Sequence, residues 1–510
     1  MKQWRRWPVA VGLVVFGAVA IAISVLANTD PTPTVPSGDV PVNEGAGSQG
    51  DIRANNSPTI VRNPRRPDNL VVVNRVDGPR YSCGVHVSFD GGMEWSRVAV
   101  EIPRGEEPKC FAPDAAFTRD GKLHMTYVTL RGAGNVPNAG WYASSGDGGR
   151  TFSKARRLLG RLAFQVRLTA DPADPRRLYL SYLRADTDVG LFKFTGPGNP
   201  ILVSRSVDGG ASFERPVRVN PEQRARAVAP ATTVGPKGEV YVLYLDLGND
   251  SLDYEGRHGG RGGRPYQGHF KLVLARSLDR GATWAESVVE ERLVPTERFV
   301  AFLPPFPSVA VDPRDGRVYA GFQDGRLGKA DVFVWSRAAG GATWDGPTRV
   351  NDTPDRDGTS QYLPRLDVAP DGRLDVVYYD RRSDTKDVMN EVSLQSSFDE
   401  GQSFDARIRL SGQDFDSRVG YGNEREMPDL GSRLGLVSDR ESALAVWSDT
   451  RSGSIDSNKQ DIGSARVVFD EAGGRQTAQK GLLVGGLAAV IAGLISLALT
   501  VARRGETTAG

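Results

Sequence analysis

Three short strings place an acid and a base two residues apart at the ends of apolar runs: Asp324-Arg326, Asp380-Arg382 and Asp449-Arg451. Asp246 stands alone at the same point of an earlier run. Asp-x-Arg suits two jobs. A guanidinium presents a planar fork that grips a carboxylate at two points, so a ring of such residues can hold a carboxylate or sugar hydroxyls. The same pairs can instead serve as struts between neighbouring units, and their repetition with the unit favours struts. The four histidines, His86, His124, His258 and His269, are scattered. They lack metal-ligand spacing, so no metal and no cofactor is expected. His124 alternates with Leu123 and Met125 on an apolar run and reads as a structural residue. Cys83 and Cys110 flank residues 88–95 and read as one disulfide that staples that unit of an exported domain, or else as two buried thiols.

The elements that must position these residues announce themselves by repetition. Residues 277–284 read SLDRGATW, and the pattern returns at 88–95 (SFDGGMEW), 145–152 (SGDGGRTF), 206–213 (SVDGGASF) and 397–404 (SFDEGQSF). A degenerate copy at 337–344 (RAAGGATW) keeps the glycines, Thr and Trp. An Asp that accepts backbone N–H groups, a Gly free to take positive φ and a closing aromatic make a strand-turn-strand hairpin. A second hairpin, two apolar runs about a polar turn, precedes each copy. It starts near Pro58, Pro113, Val166, Pro230, Pro307 and Pro364, and a seventh starts near Ser432 with no octapeptide after it. Two hairpins make one four-stranded antiparallel blade. The fold expected is therefore an all-β propeller. Seven hairpins favour seven blades, six being the alternative, and residues ahead of Pro58 can supply the strand that the last unit lacks.

The octapeptide resembles the Asp-box, or bacterial neuraminidase repeat, of sialidase-like β-propellers. The resemblance spans roughly residues 58–470. It implies that the boxes are structural turns on the rim of one face, so function is expected on the other. That second face carries the long loops at 246–269, which includes the string GRHGGRGGRPYQG, and at 411–431, which holds Arg418, Tyr421, Glu424, Arg425 and Glu426. Sialidase chemistry would need three arginines on the substrate carboxylate, a Tyr nucleophile beside a Glu, and an Asp acid/base. Tyr421 and Glu297 are the candidates for the nucleophile pair. Val61-Arg62-Asn63-Pro64 is similar to the family's Phe/Tyr-Arg-Ile-Pro string. Aligned on the hairpin, however, Arg62 matches the strand residue Val311, which makes the string a product of the repeat.

The ends bound the rest. Lys2, Arg5 and Arg6 precede an apolar run at 9–27, read as a signal peptide or signal-anchor helix over 1–27. Residues 28–57 read as a flexible linker, 471–480 as a tether, 481–502 as a transmembrane helix and 503–510 as a cytoplasmic tail whose Arg503 and Arg504 mark the inside. The propeller then sits at the cell membrane, on the extracytoplasmic side. With 64 Lys and Arg against 62 Asp and Glu, nothing calls for a nucleic-acid partner. The function expected is binding of a glycan, peptide or envelope protein through the face opposite the boxes. The alternatives are an exo-α-sialidase or related glycoside hydrolase, and a platform for protein assembly.

Overall fold

Each acidic octapeptide closes a turn with its own side chains. The Ser277 hydroxyl donates to Asp279 Oδ1 (2.8 Å) and accepts from the Gly281 N–H (2.7 Å). Asp279 Oδ1 accepts the N–H groups of Ala282 (3.1 Å) and Thr283 (2.8 Å), and Thr283 Oγ1 donates to Oδ2 (2.6 Å). Gly281 sits at φ +86°, where a β-carbon would be strained. The same bonds recur around Asp147, Asp208 and Asp399. The degenerate copy has no carboxylate; there Arg337 lies over the Trp344 ring, 4.6 Å from its centroid.

These contacts hold the octapeptide carboxyls down. The Ser212 hydroxyl, then the Ser212 N–H, lowers Asp208 to about 2. Thr283, through the same two groups, holds Asp279 well below the usual carboxylate range. A carboxyl depressed in the fold adds stability that is complete above its unfolded value, about 4, and is lost as pH falls through its folded value. The melting temperature should therefore hold from neutral pH to about 4 and drop steeply towards 2. A melting temperature that stays level to pH 2 would contradict this.

The computed structural model describes residues 33–48, 50–187, 199–224, 226–250, 266–297, 305–420 and 430–469, with Val490, Ile491, Leu494 and Ile495. Its strands form seven antiparallel sheets. The first comprises Asn55–Asn63, Arg66–Val76, Ser82–Ser88 and Ser96–Arg97; the second Cys110–Phe117, Leu123–Arg131, Val136–Ser145 and Arg156–Leu159. The third comprises Ala163–Ala170, Leu178–Arg184, Ile201–Ser206 and Val217–Arg218; the fourth Ala227–Val234, Val240–Asp246, Phe270–Ser277 and Ala285–Leu293. The fifth comprises Ser308–Val311, Val318–Asp324, Asp331–Arg337 and Asp345–Arg349. The sixth comprises Gln361–Val368, Leu374–Asp380, Met389–Ser397 and Ile408–Arg409, with Phe415–Asp416 beside its third strand.

The seventh sheet draws on both ends of the chain. Gly435–Ser438, Ser442–Asp449 and Asp461–Val468 are completed by Asp39–Pro41, with Asp39 opposite Ala465 and Pro41 opposite Gly463. The closing strand thus falls within the segment expected as a linker, and the blade count is seven. Three residues reading Asp-Val-Pro carry no alternating pattern, so nothing local marks them as a strand. The following turn is tied down by side chains: Asn43 donates to Asp461 Oδ1 (3.0 Å), and the buried Lys459 donates to the carbonyls of Gly45 (3.1 Å) and Ser48 (2.6 Å).

The chain forms two compact units, Val35–Val467 and the paired ends Met1–Thr34 with Val468–Gly510. In the first unit, the first strands of successive blades pack side by side from blade one to blade seven and back to blade one. Second and third strands are largely buried on both faces because blades cover them on both sides. Val71, Val73, Val85 and Val87 of blade one pack on Ala115, Leu123, Met125 and Tyr127 of blade two, each large side chain contributing about 1.5–3 kcal/mol by leaving water. Cys83 and Cys110 form a disulfide across this seam, with Cα atoms 5.4 Å apart and a sequence separation of 27. It links blade one to blade two, beyond the single blade it was expected to staple, and a loop of that length contributes about 3–4 kcal/mol. Among the described residues no helix is long and apolar enough to cross a membrane. The signal or anchor segment at 1–27 lies outside the described residues, as does 481–502 except Val490, Ile491, Leu494 and Ile495, which are helical.

Candidate functional site

The site begins with a backbone defect repeated around the axis. In five of the seven first strands, pairing breaks after Asn56, Phe111, Phe164, Val228 and Tyr362 and resumes at Thr59, Asp114, Arg167, Ala231 and Arg365. Each break carries one non-glycine residue at positive φ, namely Ser57, Ala112, Gln165, Ala229 or Leu363. Proline follows in four of the five, at Pro58, Pro113, Pro230 and Pro364; its missing N–H is tolerated where the ladder is already interrupted. Such bulges bend a strand and re-aim the next side chain. Here they lie ahead of the first turn of each blade, towards the face opposite the octapeptides.

Three arginines converge there from blades three, six and seven. Arg433 Nε donates to Thr59 Oγ1 (2.9 Å), and its Nη2 donates to the Pro113 carbonyl (2.9 Å). Arg167 Nη1 lies 3.1 Å from Asp114 Oδ1 and 3.4 Å from Thr59 Oγ1, and its guanidinium is 5.6 Å from the centre of the Phe306 ring. Asp114 is 1 % exposed, and its other oxygen accepts the Leu168 N–H at 2.7 Å. The Arg365 side chain makes no hydrogen bond or ion pair with any described residue and is only partly buried.

Burial and mutual repulsion act on two of the three. Burial, then the positive charge of Arg167, lowers Arg365 from its ordinary value; burial and Arg167 likewise push Arg433 well down. Two residues further along the strand of Arg365, burial raises Asp367 to about 6, against the opposing pull of the Ser438 N–H and of Arg365. At neutral pH three guanidiniums therefore face two carboxylates, Asp114 and Asp367, which leaves one positive charge in excess. A desolvated cation without a partner is costly. An anion entering between the three forks would gain charge-assisted hydrogen bonds and relieve that cost. Phe306 supplies an apolar wall beside them.

The Asp-x-Arg residues lie one strand further out. Arg326 Nη2 bonds Asp324 (2.6 Å) in its own turn and Glu290 (2.9 Å) of blade four. Arg382 Nε bonds Asp380 (2.6 Å), and its Nη1 reaches Asp352 (2.6 Å) at the end of blade five. Arg451 Nε bonds Asp449 (2.8 Å), and its Nη2 reaches Asp39 of the closing strand. Asp246 accepts from Arg224 (3.0 Å), which also bonds Glu286 (2.8 Å). Glu297 is paired with Lys329 at 2.8 Å, whereas Tyr421 lies outside the described residues, as do Glu424, Arg425 and Glu426. Arg62 is engaged with Asp439 of blade seven. Burial lowers His124 to about 4, and it is held between the hydroxyls of Thr118 (3.2 Å) and Tyr142 (2.7 Å), a neutral structural residue.

Arg167, Arg365 and Arg433 were not among the residues singled out from the sequence, although a signal for them exists. Each is the second residue of its blade's opening string: Val166-Arg167-Leu168, Pro364-Arg365-Leu366 and Ser432-Arg433-Leu434. The corresponding residues of blades one, two, four and five are Thr59, Asp114, Ala231 and Ser308. A position that varies from blade to blade between mostly apolar neighbours is one the blade itself does not dictate.

Fold and site together define a seven-bladed propeller with an arginine-lined axis. No family model matches the chain, and no curated protein matches its sequence. Among solved structures it is similar to a protein of unknown function from Dyadobacter fermentans (16 % identity, 85 % of this chain and 98 % of that one, TM-score 0.48). It is also similar to a polysaccharide lyase, an ulvan lyase (12 % identity, 80 % and 94 %, TM-score 0.45), and to a Hadza microbial sialidase (13 % identity, 80 % and 75 %, TM-score 0.41). Likeness of this degree leaves function to be read from the site.

Proposed function

We propose that this protein binds a carboxylate-bearing glycan at the axial mouth opposite the octapeptides, with Arg167, Arg365 and Arg433 on the carboxylate and Phe306 against the sugar ring. One observation carries the reading: the Arg365 side chain stands beside two other guanidiniums and forms no hydrogen bond or ion pair with a described carboxylate. The Asp-x-Arg pairs serve as struts around the mouth: Arg326 and Arg382 tie neighbouring blades together, and Arg451 ties the closing strand into blade seven. The basic segment before 9–27, the apolar run at 481–502 and the disulfide support placing the propeller outside the cytoplasmic membrane and anchored to it.

Hydrolysis of a sialoside is the second reading, favoured by the number of arginines and by the raised carboxyl of Asp367. Calorimetric titration of the full chain with N-acetylneuraminate and galacturonate, against their neutral counterparts, tests the binding reading. Saturable binding of the acidic sugars alone supports it, and equal or no binding overturns it. Turnover of a fluorogenic sialoside by the same protein would convert binding into catalysis.

A further inference from the structure

A cavity opens on the same face, between the loops that join strands two and three of blades one, two and seven. Its volume is about 350 Å³, and Ile52, Arg80, Tyr81, Lys109, Asn135 and Asn458 are among its walls. Tyr81 presents an aromatic surface braced edge-on by Phe111, with ring centroids 5.5 Å apart. Arg80 is exposed, and neither its guanidinium nor the Asn135 side-chain amide bonds any described residue. Lys109 is engaged with the Gly132 carbonyl (2.8 Å) and Glu107 (3.1 Å). Asp77, also on the wall, is neutralised by Arg75 at 2.7 Å. An aromatic plate, a free amide and a free guanidinium around a space of this size match a sugar unit that carries its own acid group.

Two series of contacts connect the cavity to the surroundings of the axial arginines. Asp77 Oδ2 accepts from Asn56 Nδ2 (2.8 Å), and the next residue, Ser57, accepts the Ser432 N–H (3.0 Å) beside Arg433. On the other side Arg75 lies over Phe111, 5.2 Å from its centroid. Phe111 stands two residues before Pro113, whose carbonyl receives Arg433. A chain of sugars leaving the axis over blades one and two would meet Tyr81 and Arg80 next.

We propose that this cavity is a second sugar subsite, so that the ligand is an acidic oligosaccharide with carboxylates on more than one unit. Its first acid group rests on the axial arginines and a later unit stacks on Tyr81 with its acid group at Arg80. The inference rests on the axial binding proposed above. Calorimetry on the full chain with galacturonate and trigalacturonate at one ionic strength tests it. The trimer should bind at least about tenfold more tightly than the monomer. Tyr81→Ala and Arg80→Ala should each remove most of that gain while leaving monomer affinity unchanged, and Arg365→Met should weaken both probes. Equal affinity for monomer and trimer, or a Tyr81→Ala variant that keeps the gain, overturns the subsite and leaves the axial reading standing. Failure of both probes to bind, or indifference of both to Arg365→Met, overturns the two together.

Discussion

Arg365→Met is expected to weaken acidic-sugar binding by about one to two orders of magnitude while raising the melting temperature. The first effect follows from hydrogen bonds to a charged group, worth about 1.5–3 kcal/mol each when made in a desolvated site, or about 10- to 150-fold in affinity. The second follows from what Arg365 lacks. Its guanidinium stands beside Arg167 and Arg433, is only partly exposed and forms no ion pair with a described carboxylate. Methionine has a similar reach without the charge, so the fold loses an uncompensated cation and gains about 1–3 kcal/mol. A structural arginine would behave in the opposite way. Chemical denaturation and titration of one preparation read both effects, and a destabilised variant with intact binding would refute the assignment.

Asp114→Ala is expected to cost about 3–5 kcal/mol of stability. Asp114 is the carboxylate paired with Arg167 and also the acceptor for the Leu168 N–H, so its removal strands a buried charge and a buried donor together. Asp114→Asn restores an acceptor for Leu168 without restoring the charge, and should lose less, about 1–3 kcal/mol. Because the defect is an excess of positive charge at the axis, millimolar galacturonate should recover more stability in Asp114→Asn than in the parent protein. Urea unfolding of the two variants, with and without the sugar, checks this. An Asp114→Ala variant within 1 kcal/mol of the parent would show that the pair does not anchor the ring.

What the sequence made plain and what it hid differ for a physical reason. The octapeptide is local chemistry: Ser277, Asp279, Gly281 and Thr283 complete one another's hydrogen bonds within a single turn, so their types alone announce the hairpin. The blades follow from counting hairpins. The axial site is not local. Arg167, Arg365 and Arg433 are 198 (365 − 167) and 68 (433 − 365) residues apart in sequence, and only a closed ring brings them together. Their aim also depends on bulges at Gln165 and Leu363, whose positive φ no glycine advertises. The Asp-x-Arg strings attracted attention because they recur, but recurrence with the blade is what a strut requires. A ligand site breaks the symmetry of the repeat, as Arg, Asp and Thr do at its variable second position.

The closing strand shows the same limit from another side. Asp39–Pro41 has no pattern of its own and becomes a strand only because Asp461–Val468 offers an unpaired edge. Lys459 and Asn43 then secure it through backbone and carboxylate partners more than 400 positions away in sequence.

The central claim is that three guanidiniums on the axis receive a carboxylate. A crystal structure of the full chain with N-acetylneuraminate or galacturonate bound tests it most directly. The carboxylate should lie within hydrogen-bonding distance of Arg365 and at least one of Arg167 and Arg433, with the ring against Phe306. A sugar bound elsewhere, with Arg365 turned onto a carboxylate of the protein itself, would contradict it.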